Sequence, residues 1–353
     1  MPWIIFRIIL YILLFGAIWF GGQFYVAQEF FDGMHETSPY AIFVDQSVSG
    51  DEVKMEQQNG SITYPFSNIE TALSTARENN INTILISSGT YTEVLTLPKN
   101  ITLFGTTANV TILNKTPKSF ALTTDDNINI INITISGGNN TVIIPHNTSA
   151  TFINTIITNA HDFGVLMGKK ERPKTMPGEK SKVVYEVFNK TDIEILQMPL
   201  VRFSNVTVTK NDNQGMYLRD GRVEIINSQV IENGEEGIDL HPHMHVTILS
   251  TNASNNGEGG LETEIYDNKV LIKNSTFTHN VKSGVALLTS MGVGSIILNE
   301  NIMSNNQKFG MRCAVHKNRP SQPRPFFQSV IINKDNLMEN NAEASISKPC
   351  FNF

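Results

Sequence analysis

Several things are scarce in this chain. Two cysteines in 353 residues allow at most one disulfide. Charged residues make up only 17%, and 27 Lys and Arg are outnumbered by 33 Asp and Glu, for a net charge of −6. There is no basic tail and no basic excess, so a nucleic-acid partner is excluded on electrostatic grounds. Long apolar runs are also scarce, with one exception at the N-terminus.

That exception is residues 1–27. From Ile8 to Ala27 there is no charge, Arg7 precedes the run, and Glu29, Asp32 and Glu36 follow it. Twenty apolar residues suffice to cross a bilayer core, and the positive flank stays on the cytoplasmic side. The rival is a cleaved signal peptide, which needs small residues at a cleavage site. Cuts after Gly22 or Ala27 put Phe20 or Tyr25 at the −3 position. The expectation is an uncleaved membrane anchor with the remaining chain outside the cytoplasm. Residues 28–40 read as a linker.

What the chain has in quantity is repetition. NVTVTKNDNQGMYL, RVEIINSQVIENGEEGIDL, HVTILSTNASNNGEGGLETEI, KVLIKNSTFTHNVKSGVALL and GSIILNENIMSNNQKFGMRCAV are copies of one unit. Their landmark glycines fall at Gly215, Gly237, Gly260, Gly284 and Gly310, in steps of 22, 23, 24 and 26 residues. Each copy has alternating aliphatics, an Asn-rich corner, a second short run, a polar turn with Gly and a third short run. One such coil cannot bury its apolar face alone, so coils stack strand on strand into parallel sheets. The fold class is all-β, a right-handed parallel β-helix occupying residues 41–353 as one domain, with about ten coils over 82–347. A monomer is expected.

Before the coils, SNIETALSTARENN carries Ile69, Ala72, Leu73 and Ala76 at helical spacing. A helix over 67–79 follows, with Ser67 and Glu70 as its capping box, covering the open end of the first coil. The triplets at Asn100, Asn109, Asn132, Asn205 and Asn274 match the glycosylation sequon. Stacked asparagine ladders at the coil corners are the preferred reading. Cys313 and Cys350 both lie in the last coils, and an exported chain permits their pairing. Two insertions interrupt the repeat, near 168–198 and 317–327, both with basic residues. They are either neutral decoration or the walls of a groove.

Side chains alternate across a strand, so the second residue after each landmark glycine faces outward. Asp239 and His241 therefore point out, with His243 and His245 in phase provided Pro242 does not bend the strand. Stacking places Tyr217 and Arg219 on the preceding coil and Glu262, Glu264 and Tyr266 on the following one. Arg312, Ala314 and His316 lie farther along.

At GIDLHPH, Gly237–His243, the chain resembles the Asp-Pro-His-Asp/Glu signature of alginate (mannuronan) C5-epimerases. The resemblance implies that Asp239 handles the uronate carboxyl group and His241 moves the C5 proton. Leu240 replaces the proline, Pro242 replaces the final acid, and Glu236 stands where some members have a catalytic Tyr. FVDQSVSG, YPFSNIETAL and GTYTEVLTLPKNITLFG are similar to the opening cap and first coil of pectin-lyase-like β-helices. Gly89–Glu93 is similar to one box of pectin methylesterases, whose later boxes are missing, so that segment is read as structural.

The chemistry fits a uronate C5-epimerase or lyase. Taking a C5 proton requires a base with a pKa near working pH, which suits histidine. The neighbouring carboxylate must be neutralised, a task for Arg219 or a protonated Asp239, and Tyr217 or Tyr266 can deliver a proton. His241, Asp239, Arg219 and Tyr217 are the candidate catalytic residues. Glu262, Glu264, Tyr266, His243 and Arg312 are candidates for binding an acidic or neutral polysaccharide. No cofactor is required, although calcium, zinc or copper stays open. The alternatives are a glycoside hydrolase using Asp239, Glu262 and Glu264, a metal site of His241, His243 and His245, and a non-catalytic binding or structural stalk.

Overall fold

The computed structural model describes residues 41–50, 56–107, 109–168, 197–265, 268–289, 294–315, 330–332, 335–347 and 350. The expected N-terminal anchor and linker in residues 1–40, most of the 168–198 insertion, all of the 317–327 insertion, Tyr266 and His316 lie outside the described residues. Among the described residues no helix is long and apolar enough to cross a membrane.

The described strands pair in parallel into three sheets of eleven, ten and six strands, each taking one strand per coil in chain order. Register is kept by like residues stacking inward. Val201, Val223, Val246, Val270 and Ile296 form one such column of partners in the eleven-stranded sheet. The buried core runs the length of the solenoid, and Phe152 stacks on Phe203 with ring centroids 5.0 Å apart.

The asparagine corners follow from backbone geometry. Asn132, Asn154, Asn205, Asn227 and Asn274 take φ between 50° and 58°, a left-handed conformation that Asn tolerates better than most side-chain-bearing residues. Ladders join several of them: Asn154 donates to Asn132 at 3.1 Å and Asn205 to Asn154 at 2.7 Å. A second ladder runs through the buried Asn211, Asn233, Asn256, Asn280 and Asn306 and ends on the half-buried Asn341. It lies beside the landmark glycines. A Cβ on Gly237 would come within 2.6 Å of the Asn256 side chain and 2.8 Å of the Gly260 carbonyl, which is why those positions carry glycine.

Helix α1 spans Ile69–Asn79 and buries Ile69, Ala72, Leu73 and Ala76. It packs against the strands Ile42–Val44 and Thr83–Ile86, covering the first coil. Its cap differs from the expected Ser67–Glu70 box. Asn68 is the N-cap in extended conformation, and its Oδ1 accepts from Thr71 N at 2.8 Å. The Glu93 carboxylate accepts from Ile69 N and Glu70 N at 2.9 and 2.8 Å, satisfying two more free donors of the first turn. That gives the Gly89–Glu93 segment its structural role. At the other end Cys313 and Cys350 form a disulfide, with Cα atoms 5.3 Å apart.

Candidate active site

The ten-stranded sheet brings the candidate residues together. Tyr217 pairs with Asp239, Asp239 with Glu262, Glu262 with Ala286 and Ala286 with Arg312. Two residues farther along each strand, Arg219, His241 and Glu264 form a second outward column, because Leu218, Leu240 and Thr263 are partners and turn inward. Adjacent strands lie about 4.8 Å apart.

His241 is the centre of this patch. Its Nε2 lies 3.0 Å from Asp239 Oδ2, and its Nδ1 lies 3.9 Å from Glu264 Oε1. The imidazole centroid is 4.2 Å from the Tyr217 ring, which stacks in turn on Phe163 at 4.9 Å. Burial lowers the affinity of the imidazole for a proton. The Asp239 hydrogen bond and charge, helped by Glu264, outweigh that and move its pKa up overall. Tyr217 is pushed up to about 12 by burial and by Asp239, so its hydroxyl stays protonated. Arg219 Nε donates to Asp220 at 3.1 Å.

The three histidines do not share a strand face. The strand Ile238–Leu240 ends before Pro242, and His243 takes φ of 66°, a left-handed turn that carries the chain into the next sheet. His245 then pairs with Arg222 and Lys269 in the eleven-stranded sheet. Among the described residues there is no group of three or more His, Cys, Asp or Glu placed to hold a metal ion. Asn268 fixes this corner, accepting from Met244 N at 2.8 Å and donating to the carbonyls of His241 and Glu264 at 3.1 and 2.6 Å.

Sequence reasoning named Glu236 and Glu262 but missed Glu258 and its hydrogen bond with Glu236 beside the column. Glu236 is buried and accepts from Gln214 Nε2 at 3.3 Å. Burial, then a hydrogen bond to Glu258, push the Glu236 carboxyl well up, so it holds its proton. That same hydrogen bond, with the Lys282 ion pair, holds Glu258 down. Glu262 is pushed up to about 7, by burial first and then by Asp239. Glu236 directly precedes a landmark glycine, where the inside–outside alternation gives no direction, so its neighbours could not be read from the sequence.

Residues 193–347 match the family model described as the right handed beta helix region. The fold is a right-handed parallel β-helix. No curated protein matches the chain. Among solved structures, pectate lyase Pel9A is similar at 14% identity, with 87% of this chain and 81% of that one covered and a TM-score of 0.52. The A-module of the Azotobacter vinelandii mannuronan C-5 epimerase AlgE6 aligns at 12% identity over 76% of this chain and 93% of that one, with a TM-score of 0.36. The catalytic domain of a GH87 alpha-1,3-glucanase aligns at 11% identity over 80% and 65%, also with a TM-score of 0.36.

Proposed function

We propose that this β-helix acts on a uronate-containing polysaccharide by proton transfer at C5, as an epimerase or a lyase, with His241 as the base. The observation that carries this reading is the setting of His241. Its Nε2 faces Asp239 at 3.0 Å, which fixes the ring and raises its basicity, while its Nδ1 is left to take a proton. When Nδ1 is protonated, Glu264 at 3.9 Å stabilises the imidazolium. Tyr217 packs on the ring and restricts its rotation.

Removing the C5 proton leaves negative charge on the adjoining carboxylate. Arg219, one coil away in the same column as His241, is the group that balances it. Arg312 stands at the far end of the Tyr217–Asp239–Glu262 column and lowers the pKa of Glu258 and Glu262 through its charge. It suits the carboxylate of a neighbouring sugar. The likeness to a pectate lyase concerns the fold, which hosts many chemistries, so the reading rests on these side chains.

A second reading, glycoside hydrolysis, is favoured by one observation: Glu262 and Glu236 are carboxyls raised to different extents, the pattern of an acid and a base. A panel of polyuronates and neutral glucans separates the two. Proton transfer at C5 gives inverted C5 centres or unsaturated chain ends, and hydrolysis gives new reducing ends with neither. A non-catalytic stalk gives no product at all.

A further inference from the structure

We propose that Glu236 is the acid that protonates the departing glycosidic oxygen, so that the enzyme cleaves its polymer as a lyase. This rests on the reading of His241 as the C5 base.

Glu236, Gly259 and Ser283 occupy one register position on three successive coils, since Gly237 N donates to Gly259 O at 2.9 Å and Gly260 N to Ser283 O at 3.0 Å. In-register parallel strands project such side chains to the same side. Gly259 is the member of this row without a side chain, and its backbone does not demand glycine. Its φ is not in the left-handed range, and an added Cβ would meet only Ser283 O at 3.4 Å, Leu261 O at 3.7 Å and Glu236 Cγ at 3.9 Å. Gly260, by contrast, would drive a Cβ to 2.6 Å from the Ala253 carbonyl. The space left at Gly259 lets Glu236 reach Glu258 on that coil.

Ser283 is the next member of the row, and what it shows is independent of the acids. It is 1% exposed, and its Oγ has no hydrogen-bond partner among the described residues. Buried hydroxyls are nearly always paired, so an unpaired one in this row points to a ligand group that completes it. A sugar hydroxyl is the fitting class. The charges of Glu262 and Asp239 both act on the Glu236 carboxyl, so it stands beside the column that carries His241.

The elimination balances. His241 takes the C5 proton, the electron pair forms the C4–C5 double bond, and the C4–O bond breaks. The departing oxygen takes the proton of Glu236 and becomes the hydroxyl of a new reducing end. The Glu236 carboxylate then faces Glu258, itself held ionised by Lys282, and this repulsion favours reprotonation from water.

The test incubates wild type and Glu236→Gln, each checked for native melting, with polymannuronate, polyguluronate and polygalacturonate in D2O. Absorbance reports unsaturated ends and NMR reports deuterium at C5. The expected result is unsaturated ends from wild type, a loss of cleavage of roughly 100-fold or more in the variant, and C5 deuterium still detectable in it. Cleavage by the variant within about tenfold of wild type, or equal loss of cleavage and exchange, overturns the proposal. Exchange without unsaturated ends in wild type overturns it too, whether or not the variant folds, and leaves His241 as the base. Neither signal in wild type removes the base reading and this proposal together.

Discussion

The imidazole of His241 packs 4.2 Å from the ring of Tyr217, and the two rings are tilted by 34°. They come from adjacent coils, so the contact depends on the register that pairs Tyr217 with Asp239. It ties the position of the proposed base to the stacking of the solenoid.

Removing that packing separates ring from hydroxyl. Tyr217→Phe keeps the stack on His241 and Phe163 and is expected to keep most C5 exchange. Tyr217→Ala is expected to lose roughly tenfold or more by freeing the imidazole, as misplacement of a catalytic group does. Asp239→Asn removes the charge that orients His241 and is expected to cost about 100-fold or more. Steady-state rates of C5 exchange check all three.

The pH dependence of stability has a definite sign. Glu262 is raised to about 7 in the fold from an ordinary 4.5, and Glu236 and His241 are also raised. Each binds protons more tightly folded than unfolded, so its contribution is fully present below the unfolded pKa and is lost as pH rises through the folded one. The melting temperature is therefore expected to fall between about pH 5 and pH 8. Glu262→Gln should flatten that slope, as melting curves across the range would show.

The buried ladder makes a separate prediction. Asn256 accepts from Asn233 N at 3.1 Å and donates to Val230 O at 3.0 Å. Asn256→Ala orphans both groups and is expected to cost roughly 2–6 kcal/mol, at about 1–3 for each buried unpaired group. Asn205→Ala, at an exposed corner, should cost less than about 1 kcal/mol. Chemical denaturation distinguishes them.

The Cys313–Cys350 bridge closes a separation of 37 residues. Replacing both cysteines with serine is expected to lower stability by about 4 kcal/mol on the chain-entropy account. Denaturation with and without reductant measures it.

Much of this was legible in the sequence because a solenoid makes register visible. The steps between Gly215, Gly237, Gly260 and Gly284, with two-residue alternation, were enough to place Tyr217, Arg219, Asp239, His241, Glu262 and Glu264 in neighbouring columns. What stayed hidden depended on geometry without a period. Pro242 marked a place where the strand could bend, but residue type alone does not fix the left-handed conformation of His243 that takes His243 and His245 off the His241 face. Asn68 and Ser67 are both good caps by residue type, and only backbone direction chose between them. The Glu236–Glu258 pair depends on space left by Gly259, which resembles a landmark glycine in sequence but is sterically unlike one.

The most direct test of the central claim is C5 deuteration of polyuronates in D2O by wild type and by His241→Ala, with native melting confirmed for both. The account expects deuterium at C5 in at least one polymer with wild type and a loss of roughly 100-fold or more in the variant. Equal deuteration by both proteins, or none by folded wild type on any polyuronate, would contradict it.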